Sequence, residues 1–209
     1  MKLAARLPEW VKDAVGRPLG LRDVKPSQQW QRVVMNREID RFVSSLDRAR
    51  LDAVEVSGTE RAHHPWRSFT SLEYPEFDLC GEQVDIERTY DVVICEQVLE
   101  HVVDPALALT RLGELAAPGG HVVVGTPFLI RVHAGPGDYW RFTEDGLRLM
   151  VERAGLEVVE SGAWGNRRCV RANLRRWAKV RRWSSLRNDP RFPVAVWVIA
   201  KRAGSVDVG

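Results

Sequence analysis

An α/β fold on a mostly parallel sheet follows from three features of this 209-residue sequence. Short apolar, β-branched runs such as Val92-Val93-Ile94-Cys95 and His121–Thr126 have the composition of strands buried on both faces. Helix signals fall between such runs: Asp104-Pro105 and Thr143 stand ahead of leucines that recur at helical spacing. The run at 92–95 ends in a cluster of polar and ionisable groups, Glu96, Gln97, Glu100 and His101. Open α/β sheets place their chemistry at the carboxyl ends of strands.

A chain of this length suits one such domain with a sizeable core. Apolar residues make up 44% and charged residues 28%, an ordinary globular balance. No apolar run reaches membrane-spanning length, and the opening MKLAARLPEWVKD lacks the apolar centre of a signal peptide. Cys80, Cys95 and Cys169 form no CxxC pair. A reduced, cytoplasmic setting without disulfides or a zinc site is therefore expected.

Residues 1–50 read as a helical segment packed on a domain that spans 51–209. In residues 1–25, Leu3, Leu7, Trp10, Val11 and Val15 mark one face of a short helix. Docking on the domain is the plain reading, and a membrane-surface or partner contact is the alternative. Ser27 is placed to cap a second helix with Trp30, Val34, Met35, Ile39, Phe42, Val43 and Leu46 on one side, expected to pack on a sheet edge. Strands are predicted at 53–57, ending at Gly58, and at 67–72, followed by Glu73. A very short third strand is predicted at Phe77–Cys80, and another at 90–95. The helix after Asp104 carries Leu109, Leu112 and Leu115 and stops at Pro118-Gly119-Gly120, before the strand at 121–126.

Phe128–Phe142 is an irregular segment too long for a routine connector. Thr143 caps a helix with Leu147, Met150, Val151 and Ala154 on one side, closed by Gly155. A strand at 156–160 follows. Then come an insertion at 163–192 and a last strand at 194–200, the two final strands forming an antiparallel edge.

Four stretches, AVEVSG, DVVICEQVLEHVVDP, LAAPGGHVVVGTP and DYWRFTEDGLRLMVERAGLEV, carry a family resemblance in their order and spacing. Over about residues 53–162 the chain resembles class I S-adenosylmethionine-dependent methyltransferases of the type 11 group. The resemblance implies a doubly wound, Rossmann-like seven-stranded sheet in the order 3-2-1-4-5-7-6, with strand 7 antiparallel and helices on both faces. It also implies S-adenosyl-L-methionine as cofactor.

On that resemblance Glu55 and Gly58 match the acidic strand end and glycine turn beneath the methionine part of the cofactor. Glu73 matches the second-strand acid that accepts hydrogen bonds from two ribose hydroxyls, a task suited to an acceptor-only group. Asp78, followed by Leu79, matches the acid near the adenine amino group, and Glu96 lies at the mouth of the cofactor cleft. The turn departs from the family's GxGxG: it reads Ser57-Gly58-Thr59-Glu60-Arg61, and the Glu55-to-Asp78 span leaves little room for two helices. S-adenosylmethionine has no phosphate, so it does not require the amide donors of a phosphate-binding glycine loop. The missing GxGxxG therefore weighs more against a dehydrogenase. A capped strand and its turn is the plain structural alternative for Glu55 and Gly58.

Methyl transfer to a hydroxyl calls for alignment and for a base to remove the proton. His101 and His133 are the candidates. His101 has a structural alternative, as a cap or packing group at the start of the next helix. Asp138, Tyr139, Arg141 and Arg167 are expected to bind the acceptor. Gln97, Glu100 and His101 match the Glu-Glu-His positions that bind magnesium in some ubiquinone-pathway methyltransferases. Gln97 is a weak ligand for a hard cation, so no metal is assigned. His63-His64 is expected at the surface.

Between Asn166 and Arg182 there are eight basic residues and no acid, with Trp177 among them. A solvated helix face is the default for such a run. The sharper reading for 167–182 is an anionic partner: a sugar-nucleotide phosphate, lipid headgroups at the inner membrane face, or nucleic acid. DYWRFT and WGNR resemble methyltransferases found beside glycosyltransferases in surface-glycan pathways.

Three functions follow. The first is methyl transfer to the hydroxyl of a small-molecule or glycan acceptor, phosphorylated or lipid-linked in one version. The second is a non-catalytic binding module of the same fold. The third is an RNA methyltransferase, disfavoured because the chain has no recognisable RNA-binding module and no Asn/Asp-Pro-Pro-Tyr signature. Oligomeric state is not legible in the sequence.

Overall fold

The structure, a computed structural model, describes residues 28–204 apart from 83–85, 87, 134, 136, 182 and 183. The helix expected in residues 1–25 and the Ser27 cap lie outside the described residues. A 3-10 turn, Trp30–Arg32, leads into α1 (Val33–Ser45). Then follow β1 (Asp52–Val56), β2 (Ser68–Leu72), β3 (Tyr90–Glu96), α2 (Pro105–Leu115) and β4 (Ala116–Pro127). The chain continues through α3 (Glu144–Arg153), β5 (Leu156–Trp164), α4 (Arg167–Arg175) and β6 (Ala195–Arg202).

One six-stranded sheet has the order β2-β1-β3-β4-β6-β5. The first four strands are mutually parallel, and β6 runs antiparallel to both its neighbours. This is the expected Rossmann-like, doubly wound α/β fold, with one strand fewer among the described residues than the family pattern. The predicted third strand at Phe77–Cys80 does not form. The Asp78 carboxylate accepts the Cys80 amide at 2.8 Å and its carbonyl accepts Gly81 N–H at 3.0 Å, which makes the segment a turn. An aspartate able to satisfy the backbone locally competes with a ladder.

The β1–β2 crossover is correspondingly short. Residues 57–67 hold only hydrogen-bonded turns, such as Ala62 N–H to Thr59 O at 3.2 Å. With no crossover helix there, α1 covers the sheet. It packs on the face, not the expected edge: Met35, Ile39 and Val43 are fully buried against Ala53, Val92, Ile94, Val123 and Ile199. Gly125 permits this close approach, since a Cβ there would lie 2.9 Å from Met35 Sδ. The opposite face carries α2 and α3 through Leu109, Leu112, Leu147 and Val151, on Val54, Val93, Val122 and Val198. Alternation along β3 sorts its side chains between the two cores.

The local signals at helix ends act as read. Asp104 accepts the Ala106 and Leu107 amides at 3.0 Å, Thr143 accepts that of Gly146 at 3.1 Å, and Gly155 has φ 81° beyond α3. β4 begins earlier than expected. Pro118-Gly119-Gly120 is a bulge inside it, between the pairs Tyr90–Ala116 and Val92–His121. β5 likewise runs on past Glu160 to Trp164. Among the described residues no helix is long and apolar enough to cross a membrane.

Candidate active site

At the centre of the sheet β1 lies beside β3, with Val56 against Cys95, and β1's other neighbour is β2. The chain leaves β1 and β3 in opposite lateral directions here, which is where open α/β sheets hold ligands. Just beyond these two strand ends stand Ser57 (φ 54°) and Gln97 (φ 59°), the only non-glycine residues of positive φ among those described. Left-handed backbone costs free energy in a residue with a Cβ, and it gathers where function dictates the turn.

Glu55 shows how the turn holds its shape with one glycine. Its buried carboxylate accepts the Glu60 amide at 3.2 Å and the Arg61 amide at 2.9 Å, bracing the loop from beneath. Burial raises its pKa, and those amides oppose the shift. A Cβ at Gly58 would sit 2.6 Å from the carboxylate oxygen, so the one glycine is where a side chain does not fit. Ser71 Oγ lies 2.8 Å from Gly58 O and 2.5 Å from Glu73 Oε1. Glu55, Gly58 and the exposed Glu73 are thereby linked into one unit. Asp78 follows in its turn, and Leu79 is packed in the core with its carbonyl accepting from Arg111 at 3.0 Å.

Glu96 departs from expectation. It stands at the end of β3, but on the side of Val92 and Ile94, and its side chain is 1% exposed in the α1 face, away from the mouth of a cleft. Arg61, itself 2% exposed, turns inward from the β1–β2 connection to meet it at 2.8 Å. Arg61 Nε also lies 3.3 Å from Asp40, and Arg32 lies 3.7 Å from the second Glu96 oxygen. Burial raises the Glu96 pKa, with Arg61 and Arg32 opposing. The pair bolts the loop to the sheet. His64 is also not at the surface: its ring is 8% exposed, 3.0 Å from Arg48 and 3.4 Å from Asp40.

The second cluster forms where the Phe128–Phe142 segment folds back over the end of β3. Its start is held by Phe128 N–H to Val194 O at 3.0 Å, and its far part by Tyr139 N–H to Glu100 O at 2.7 Å. His101 Nδ1 donates to the Gly137 carbonyl, which can only accept, so its Nε2 faces Glu100 Oε1 at 3.7 Å. The His101 and His133 rings meet edge to face with centroids 5.0 Å apart, and Trp177 meets the His133 ring in the same way at 5.0 Å. The Arg131 guanidinium lies over the Trp177 ring at 4.7 Å.

Asp138 Oδ2 accepts the His133 amide at 2.6 Å and lies 3.4 Å from His133 Nδ1. Arg141 holds the same carboxylate with two nitrogens. Burial alone would raise the Asp138 pKa, but the Arg141 and His133 hydrogen bonds outweigh it and the carboxyl titrates below its usual range. Burial lowers the His133 pKa, against the pull of Asp138. The imidazole therefore gives up its proton more readily than an ordinary histidine, with the Asp138 carboxylate 3.4 Å from its Nδ1.

The structure thus brings His101, His133, Asp138 and Arg141 together, with the Tyr139 ring exposed above Gly137. Arg167 does not join them. It lies at the opposite end of α4 from Arg175, whose carbonyl accepts from Arg131, and faces Phe192 at 5.4 Å. Trp177, not Arg167, stands beside His133. No pattern in the sequence links positions 133 and 177.

Glu100, His101 and His133 offer one ligand atom each, all within 4.8 Å of one another. His133, not Gln97, completes this set. One carboxylate and two imidazoles suit a divalent transition metal by donor type, and equally a proton relay.

Residues 51–161, just over half the chain, match the family model described as a methyltransferase domain. The chain belongs to this family. Its members with this architecture are the class I S-adenosylmethionine-dependent methyltransferases. Among curated relatives, the ubiquinone biosynthesis O-methyltransferase of Vibrio atlanticus (strain LGP32) is 33% identical over 88 residues, 42% of this chain and 32% of that protein. Its counterpart from Nitrosospira multiformis is 35% identical over 114 residues, 46% of this chain and 48% of that one. The match thus spans a third to a half of these relatives' length.

Solved structures agree in fold. The N-methyltransferase NodS from Bradyrhizobium japonicum WM9 gives a TM-score of 0.53 at 13% identity, covering 86% of this chain and 99% of that one. The [4+2]-cyclase SpnF gives 0.55 at 13% identity, over 88% and 86%.

Glu100 carries a pH signature into this methyltransferase domain. It is fully buried, and beyond its own backbone amide neither carboxylate oxygen meets a hydrogen-bond donor among the described residues. Burial pushes its pKa from 4.5 to about 7, with His101 and Arg141 opposing. A raised carboxyl pKa stabilises the fold fully below the unfolded value and loses that contribution as pH rises through the folded one. The expected loss between pH 4.5 and 7 is on the order of 3 kcal/mol. Glu100→Gln, which cannot ionise, should flatten this part of the curve. Urea denaturation at pH 5 and pH 8 checks it, and parallel curves for the two proteins would refute the assignment.

Proposed function

We propose that this protein transfers the methyl group of S-adenosylmethionine to a hydroxyl oxygen of a small-molecule or glycan acceptor, with His133 as the base. The observation that carries this is the His133 imidazole, set 3.4 Å from Asp138 and walled by His101 and Trp177. On the cofactor side the braced turn at Glu55 and Gly58, the exposed Glu73, and the Asp78-Leu79 turn form the cradle. Glu96 holds the cradle through Arg61 and makes no contact itself. When bound, the cofactor supplies a methyl already activated on a sulfonium. His133 Nε2 would take the proton of the acceptor hydroxyl that receives this methyl. Asp138 stabilises the imidazolium until its proton passes to solvent. His101, tied to Gly137, fixes the loop that closes this side.

The ubiquinone-pathway O-methyltransferase relatives support oxygen as the acceptor atom. The bracing of the single-glycine turn by Glu55 weighs against a non-catalytic module. Labelled methyl transfer from S-adenosylmethionine to a panel of hydroxyl-bearing and amine-bearing compounds tests the reading. Label in an ether product is expected, and label confined to amines overturns oxygen as the acceptor.

A further inference from the structure

Beside the His133 cluster lies a cavity of about 810 Å³ that the transfer chemistry itself does not use. Among the described residues its charged lining is wholly cationic: Arg171, Arg175, Arg176, Lys179 and Arg181. Two indoles, Trp30 and Trp177, form its aromatic walls. Among the described residues no carboxylate pairs with Arg171, Arg175, Arg176 or Lys179.

The cations are held on a fixed frame. Asn166 caps α4, and the fully buried Asn173 donates to Cys169 O at 3.0 Å while accepting the Ala178 amide at 3.1 Å. The strand-like stretch after α4 is then bonded to residues 28–30 through Trp30 N–H to Ala178 O at 2.8 Å and Val180 N–H to Gln28 O at 2.9 Å. A default solvated face would scatter its charge over a convex helix. Here Arg171, Arg175, Arg176 and Lys179 are gathered around a concavity, where an entering anion would relieve their mutual repulsion. Trp177 lines this cavity and touches the His133 ring, so the two places share a wall.

We propose that this cavity binds the phosphate or pyrophosphate group of the methyl acceptor, the hydroxyl of that acceptor lying at His133. The assignment of acceptor class rests on the methyltransferase reading, while the anion site stands on its own geometry. The lining also includes Leu174, 57% exposed, so the phosphate is either free in a soluble acceptor or part of a lipid headgroup.

Calorimetric titration of the full chain with inorganic pyrophosphate, and flotation with phosphatidylcholine vesicles with or without phosphatidylglycerol, separate these sources. The triple variant Arg175→Gln/Arg176→Gln/Lys179→Gln should bind roughly tenfold or more weakly in whichever arm the native protein binds. Arg148→Gln, on the distant α3, should bind as the native protein does. Pyrophosphate binding lost in the triple variant supports a soluble phosphate, and vesicle binding lost in it supports a headgroup. No binding in either arm, or equal binding by the triple variant, overturns the site. S-adenosylhomocysteine affinity should be the same in all three proteins. If that ligand fails to bind while pyrophosphate does, the methyltransferase reading fails and the anion site remains.

Discussion

Replacing Arg61 by methionine should destabilise the fold by about 3–5 kcal/mol, a large share of a typical domain's stability. The guanidinium is 2% exposed and 2.8 Å from a Glu96 oxygen that is equally sealed from water. Removing it leaves a buried carboxylate with only Arg32, at 3.7 Å, to offset its desolvation. The double variant Arg61→Met/Glu96→Gln should recover most of the loss, because the cost lies in the orphaned charge and not in the missing side chain. Urea denaturation of both variants measures it. A loss under about 1 kcal/mol for the single variant would mean that the pair contributes no more than a surface ion pair.

His133→Gln should lower kcat by about 10²–10⁴-fold with little change in KM, as expected for a base that acts in the transition state. The native pH–rate profile should rise with deprotonation of His133. Because burial holds that pKa down, the midpoint should fall below the ordinary imidazole value of 6.5. Asp138→Asn removes the charge that raises the His133 pKa, so the rising limb should move to still lower pH while the plateau drops. His101→Gln is the informative control. Loss of kcat there with His133→Gln unaffected would transfer the role of base to His101.

Much of the fold was legible because its signals are local. Asp104-Pro105, Thr143 and Gly155 end helices through bonds within a few residues, and β3 is too apolar to be anything but a central strand. Misreadings arose where a distant partner decides. Phe77–Cys80 has the alternation of a strand, yet the Asp78 side chain satisfies the backbone on the spot. The α1 stripe shows that a face is buried, but its seat on the sheet depends on the crossover at 57–67 being too short to hold a helix.

The same division runs through the site. Glu55 and Gly58, three residues apart, were readable as a unit. Alternation along β3 puts Glu96 with Val92 and Ile94, but which core that face meets, and that Arg61 would enter it, depends on the fold. The contact of His133 with Trp177 joins residues 44 positions apart through a loop and an insertion without periodicity.

The central claim is a functional cofactor cradle built on one glycine. Calorimetric titration with S-adenosylhomocysteine tests it most directly, on the native chain and on Gly58→Ala, whose added Cβ would lie 2.6 Å from the Glu55 carboxylate. The account predicts saturable binding at a single site, weakened about tenfold or more in the variant, a change of at least ~1.4 kcal/mol. Absence of binding at millimolar ligand, or equal affinity in the two proteins, would contradict it.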